Sequence, residues 1–210
     1  MKEESVTIPC GELQLEGLIA VPEAATPARG AVICHPHPQY GGSMYNNVVE
    51  AALEAAWRLG MATLRFNFRG VGASGGQYGG GAGEVEDAKA AMRFLLAREG
   101  VAGQGAAMLG YSFGAAVAIR AGAESGEVST IAAIALPIVM GDFSAAGRSG
   151  KRIVLIAGDR DDYCPADALE DLARRLGPAA VLKIIPGADH FFAGSEGKLC
   201  AALAELIATR

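Results

Sequence analysis

Short apolar runs alternate with amphipathic stretches through most of the chain. Runs at residues 31–34, 61–68, 106–109, 130–136, 153–157 and 181–185 are rich in Val, Ile, Leu, Ala and Phe, with few polar interruptions. Strands buried on both faces read this way, because neither side of the pleat meets water. Between the runs lie segments of helical periodicity at 47–59, 84–99, 113–123, 166–176 and 198–208. In the second of these, Val85, Ala88, Met92, Leu95 and Leu96 recur on one helical face. Gly60, Gly100 and Gly177 stand where helices stop, since glycine accepts the left-handed residue that closes a last turn. Near the amino terminus the pattern changes to alternation at Leu13, Leu15 and, less strictly, 18–21. That suits a half-buried antiparallel hairpin of edge strands, turning near residues 9–12.

Strand and helix in alternation predict a three-layer α/β/α sandwich with a mainly parallel sheet of about eight strands, the first antiparallel. Its ligand site is expected in the loops that follow the carboxyl ends of the strands. No linker or internal repeat interrupts the pattern, so one domain spanning 1–210 is expected. Residues 70–83 are the exception to regular patterning: eight of the fourteen are glycine, which suggests a mobile surface loop.

Composition narrows the function. The formal net charge is −5, without the basic excess that nucleic acid or an anionic membrane surface requires. Cys10, Cys34, Cys164 and Cys200 are scattered and form no C-x-x-C pair, which suits reduced thiols rather than a disulfide or zinc framework. The acidic start and the absence of a long apolar run predict a cytoplasmic location. A small-molecule ligand is the expectation that remains, and a homo-oligomer stays open.

The candidate chemistry begins between the run at 106–109 and the helix from Phe113. Gly110-Tyr111-Ser112-Phe113-Gly114 is a G-x-S-x-G in strand-turn-helix context, the nucleophile elbow. The pattern alone is weak, because chance placement gives roughly 0.17 matches in a chain of this composition; its context and partners carry the weight. A serine hydroxyl needs a base, and histidine, with an ordinary pKa of about 6.5, can serve. His35, His37 and His190 are available, and His190 follows the last strand, at the expected edge. The loop after the preceding strand holds Asp159, Asp161 and Asp162, three carboxylates able to orient an imidazole. Phe113 would offer its N–H to an oxyanion as the residue after the nucleophile. In the loop from His35, Pro36 and Pro38 have no N–H, leaving His37, Gln39 or Tyr40 as the second donor.

Elbow, chain order Ser-Asp-His and a G-x-x-D with a following proline together resemble the α/β-hydrolase superfamily over essentially the whole chain. The segments His35-Pro36-His37-Pro38-Gln39-Tyr40-Gly41-Gly42 and 64–74 are similar to a cap-less bacterial branch near dienelactone-hydrolase-like and peptidase-like esterases. The resemblance implies a serine hydrolase cleaving a carboxylic ester or related acyl bond, with no cofactor and no metal. It implies Ser112 as nucleophile, His190 as base and Asp161 as the orienting acid, with Asp159 structural. It also favours His37 as second oxyanion donor, although Pro36 stands where the family pattern has glycine. About sixteen residues separate the runs ending at Leu136 and starting at Ile153, where larger relatives insert a cap; an open site is expected. Tyr40, Tyr111 and Phe191 are the candidate substrate-binding residues, with Met44, Phe113, Tyr163 and Phe192 as further candidates for an apolar pocket.

Three other readings compete. Gly70-Val71-Gly72-Ala73-Ser74-Gly75 has the form of a dinucleotide motif, but residues 77–83 intervene before any helix, so no helix amino terminus faces a pyrophosphate. His35 and His37 could form a metal pair completed by His190 and an aspartate, a metal-dependent hydrolase. A non-catalytic binding protein on a hydrolase scaffold is the third.

Overall fold

The computed structural model describes residues 1–24 and 26–208. Eight strands form one sheet: β1 (Glu4–Cys10), β2 (Leu13–Ala20), β3 (Gly30–Cys34), β4 (Ala62–Phe66), β5 (Ala106–Tyr111), β6 (Val128–Ile134), β7 (Arg152–Gly158) and β8 (Ala180–Ile185). Their order across the sheet is β1-β2-β4-β3-β5-β6-β7-β8. Every pairing from β4 to β8 is parallel, whereas β2 runs antiparallel to both β1 and β4. The antiparallel member is therefore the second strand, and only β1 of the hairpin is an edge. The alternation in β2 persists at an interior position because one face is covered while the other stays partly open.

Five helices cover the sheet: α1 (Asn47–Arg58), α2 (Ala82–Leu96), α3 (Phe113–Glu124), α4 (Ala166–Leu176) and α5 (Glu196–Ala208). α2, α3 and α4 pack on one face, over Ile8, Leu15, Phe66, Met108 and Leu155. α1 and α5 pack on the other, over Ile33, Leu109, Ile134 and Ile156. β3, β4 and β5 are buried at every position, the origin of their unbroken apolar reading. Small residues let α3 approach closely: Ala115, Ala116, Ala118 and Ala121 are all fully buried. Asn46 caps α1 by accepting the Val48 N–H. Among the described residues no helix is long and apolar enough to cross a membrane.

The glycine-rich segment is pinned at many points, contrary to the expectation of a mobile loop. Glu84, fully buried, accepts the N–H groups of Gly79 and Gly81 at 2.7 Å each. Ser74 donates to the Asn67 carbonyl at 2.7 Å, and Glu16 accepts from the Ala73 N–H and the Asn67 amide. Arg69 grips the buried Asp87 on α2. The glycines here meet a steric demand for close approach of backbone, as at Gly70 against the Cα of Gln77.

Candidate active site

β5 delivers its chain into a sharp turn at Ser112, whose φ of 53° and ψ of −119° fall where side chains are rarely held. The surrounding packing fixes that conformation. The Ser112 N–H donates to the Ile134 carbonyl at 2.8 Å, and the Ser112 carbonyl accepts from Ala115 at 2.9 Å. A Cβ on Gly110 would collide with the Gly114 carbonyl, and one on Gly114 with the Cys34 and His35 carbonyls. Both glycines of the motif are thus required by the closeness of β5, α3 and β3.

His190 arrives from the loop after β8. Its Nε2 lies 3.1 Å from Ser112 Oγ, and its Nδ1 lies 2.9 Å from each carboxylate oxygen of Asp161. The carboxylate is fixed in turn: Asp161 Oδ1 accepts the Tyr163 and Cys164 N–H groups at 2.9 Å each. The Tyr111 hydroxyl donates to the His190 carbonyl at 3.0 Å, bracing the loop from behind. An imidazole that donates Nδ1–H to a carboxylate presents Nε2 as the acceptor for a hydroxyl proton. The three side chains form one hydrogen-bonded line, with Asp161 and His190 buried and Ser112 partly open to the cleft. The neighbouring acids differ: Asp159 accepts the Gly187 N–H at 2.7 Å, tying two loops together, and Asp162 is exposed. Cys164 is buried, and burial pushes its thiol up, away from thiolate chemistry.

On the other side of Ser112 runs the loop after β3. Gln39 N–H donates to His37 Nδ1, and the Tyr40 and Gly42 N–H groups donate to the His37 carbonyl. Of the three amides available on sequence, Gln39 and Tyr40 are therefore spent. The N–H groups of His37 and Phe113 have no hydrogen-bond partner among the described residues. His35 sits beneath this loop, fully buried. Its Nδ1 donates to the Pro36 carbonyl at 2.6 Å and its Nε2 accepts the Phe68 N–H at 3.0 Å. Burial lowers its pKa to about 4. With both nitrogens engaged and the ring enclosed, His35 is not placed to pair with His37 on a metal ion.

A cleft of about 490 Å³ opens over Ser112 and His190. Tyr40, Tyr111 and Phe191, singled out on sequence, line it, as do Phe113 and Tyr163. Met44 and Phe192 do not: both are buried in the layers. Pro36, His37, Gly41 and Gly42 of the loop after β3 also line it, as do Asn46, Pro137 and Met140, which were missed because nothing in their local sequence marks a cleft. Two larger depressions, of about 710 and 730 Å³, lie elsewhere, and no histidine lines either.

Comparison with known proteins agrees with this architecture. The dienelactone hydrolase family profile matches residues 81–206. An uncharacterized protein of Rickettsia prowazekii is 39% identical over 190 residues, covering 86% of this chain and 79% of its own. The structure of an α/β serine hydrolase homologue from Coxiella burnetii superimposes with a TM-score of 0.88 at 32% identity, covering 98% of this chain and 97% of that one. A lidless α/β serine hydrolase from Xanthomonas campestris gives 0.84 at 31% identity, over 99% and 94%. With a family match over more than half its length and this fold, the chain belongs to the dienelactone hydrolase family.

Proposed function

We propose that the protein is a serine hydrolase that cleaves a carboxylic ester or related acyl bond of a small molecule through an acyl-enzyme on Ser112. The observation that carries this reading is the line from Ser112 Oγ through His190 to Asp161, with contacts of 3.1 and 2.9 Å. Ser112 Oγ attacks the carbonyl carbon as His190 Nε2 takes its proton. Asp161 stabilises the imidazolium and keeps its orientation. The free N–H groups of Phe113 and His37 receive the oxyanion, Phe113 from the amino terminus of α3, where the helix dipole favours negative charge. The C–O bond to the leaving group breaks, His190 returns the proton to the departing alcohol, and water then repeats the sequence on the acyl-enzyme. The cycle calls on no cofactor.

Between β6 and β7 the chain forms only two short 3-10 turns, Ile138–Met140 and Ser144–Arg148, and of these Met140 lines the cleft. An open cleft of this kind suits small or protruding acyl substrates. Replacing Ser112 by Ala is expected to lower kcat on short p-nitrophenyl esters by at least about a hundredfold, and to abolish labelling by a fluorophosphonate. Unchanged turnover in that variant would remove the reading.

A further inference from the structure

We infer that the cleft selects an uncharged substrate with an apolar, ring-sized arm over one that carries a carboxylate on that arm. The inference rests on the serine-hydrolase reading, which supplies the reacting end of the cleft. Its evidence comes from the other end. Among the described residues, no lysine or arginine lines the cleft. Arg120 stands behind the lining, where its guanidinium donates to the Met140 carbonyl at 2.8 Å and stacks on Phe143, while Arg65 is committed to Glu3 and Glu50 and Arg69 to Asp87. The negative charges nearby are Asp161, behind His190, and Glu84, which accepts the Gly79 and Gly81 N–H groups. A substrate carboxylate placed there loses its hydration and finds no cation in the lining to replace it.

The apolar side chains of the rim favour the opposite kind of ligand. Six large apolar side chains are exposed in the described structure: Met1, Tyr40, Tyr45, Val139, Tyr163 and Phe191. Three of them, Tyr40, Tyr163 and Phe191, line the cleft, whereas Tyr45 lies against the Arg65 guanidinium. Scattered exposed apolar residues need no explanation, but three exposed rings at one cleft do. The rings form two walls. Tyr163 and Phe191 pack on His190 with centroids 4.8 and 5.6 Å away, and Tyr40 packs on His37 at 4.7 Å. Ser112 lies between them, so an arm extending from the acyl carbon passes between aromatic faces before reaching water.

Three matched esters test this: ethyl 3-phenylpropionate, ethyl 3-(4-carboxyphenyl)propionate and ethyl acetate, followed by acid release. The expected order in kcat/KM places the phenyl ester at least tenfold above each of the others. Met140→Lys puts a cation in the lining and is expected to narrow the gap between phenyl and carboxyphenyl esters at least threefold. Tyr163→Ala combined with Phe191→Ala is expected to raise KM for the phenyl ester at least fivefold, by removing one wall. Equal turnover of the phenyl and carboxyphenyl esters by the wild type, abolished by Ser112→Ala, would overturn the selectivity and leave the serine mechanism standing. Turnover that survives Ser112→Ala, or no turnover of any ester, would overturn both.

Discussion

Ser112 is held at a positive φ by its packed neighbours, and in the proposed cycle its hydroxyl depends on one tautomer of His190. That tautomer is set by Asp161, whose two roles can be separated by a single substitution. In Asp161→Asn the amide oxygen still accepts the Tyr163 and Cys164 N–H groups that Oδ1 holds now. The amide nitrogen, however, presents hydrogens to His190 Nδ1 and drives the proton to Nε2, which then donates to Ser112 instead of accepting from it. The variant is expected to fold with a melting temperature near that of wild type while kcat falls by about a thousandfold or more. A drop of less than tenfold would remove Asp161 from the proposed machinery. Sequence pointed to this residue through a resemblance rather than through physics, because Asp159, Asp161 and Asp162 occupy one loop and differ in where that loop turns. The turn is set by Asp161 accepting two backbone amides, with Asp159 reaching across to Gly187.

At the scale of elements, the site exists because α3 starts against the carboxyl ends of β3 and β5. Gly114 marks that contact, since a methyl group there meets the Cys34 and His35 carbonyls, which are backbone atoms of the buried β3 end. Gly114→Ala must push α3 away from the sheet and with it Phe113, so overpacking of about 1–3 kcal/mol is expected. A lowered urea midpoint and slower turnover of the p-nitrophenyl esters are expected together; an unchanged midpoint would show that the contact yields. The strand-turn-helix arrangement around this glycine was readable, as periodicity changes from continuous apolar run to helix across five residues of distinctive type. The segment at 70–83 misled for a physical reason. Its glycine content reports conformational freedom in the unfolded chain, whereas its order comes from Glu16 on β2 and Glu84 on α2, partners that no local pattern reveals. The place of β2 inside the sheet was hidden likewise, because alternation records one open face and says nothing about which strands flank it.

For the molecule as a whole, the layers were legible because burial on two faces and on one face leave different periods in the sequence. The cleft was not, because it is assembled from loops after β3, β5, β6, β7 and β8 that meet only in three dimensions. His35 links that assembly to global stability. It joins the Pro36 carbonyl to the Phe68 N–H as a neutral ring, and burial lowers its pKa to about 4 against an ordinary value near 6.5. Between those values the unfolded chain binds a proton at this site that the folded chain refuses. The neutral ring's contribution is therefore fully present above pH 6.5 and is lost as pH falls toward 4, reaching about 3 kcal/mol. Carboxylates held low by hydrogen bonds, such as the exposed Asp142 and the half-buried Glu196, also lose stability in acid, but only as the pH approaches their own range. Comparison with His35→Gln separates the two effects. The variant is expected to be less stable at pH 7.5, because Gln replaces at most one of the two hydrogen bonds, and to show a flatter dependence between pH 6.5 and 4.5. Urea unfolding across that range measures both slopes; parallel curves for wild type and variant would mean that His35 does not carry the acid sensitivity.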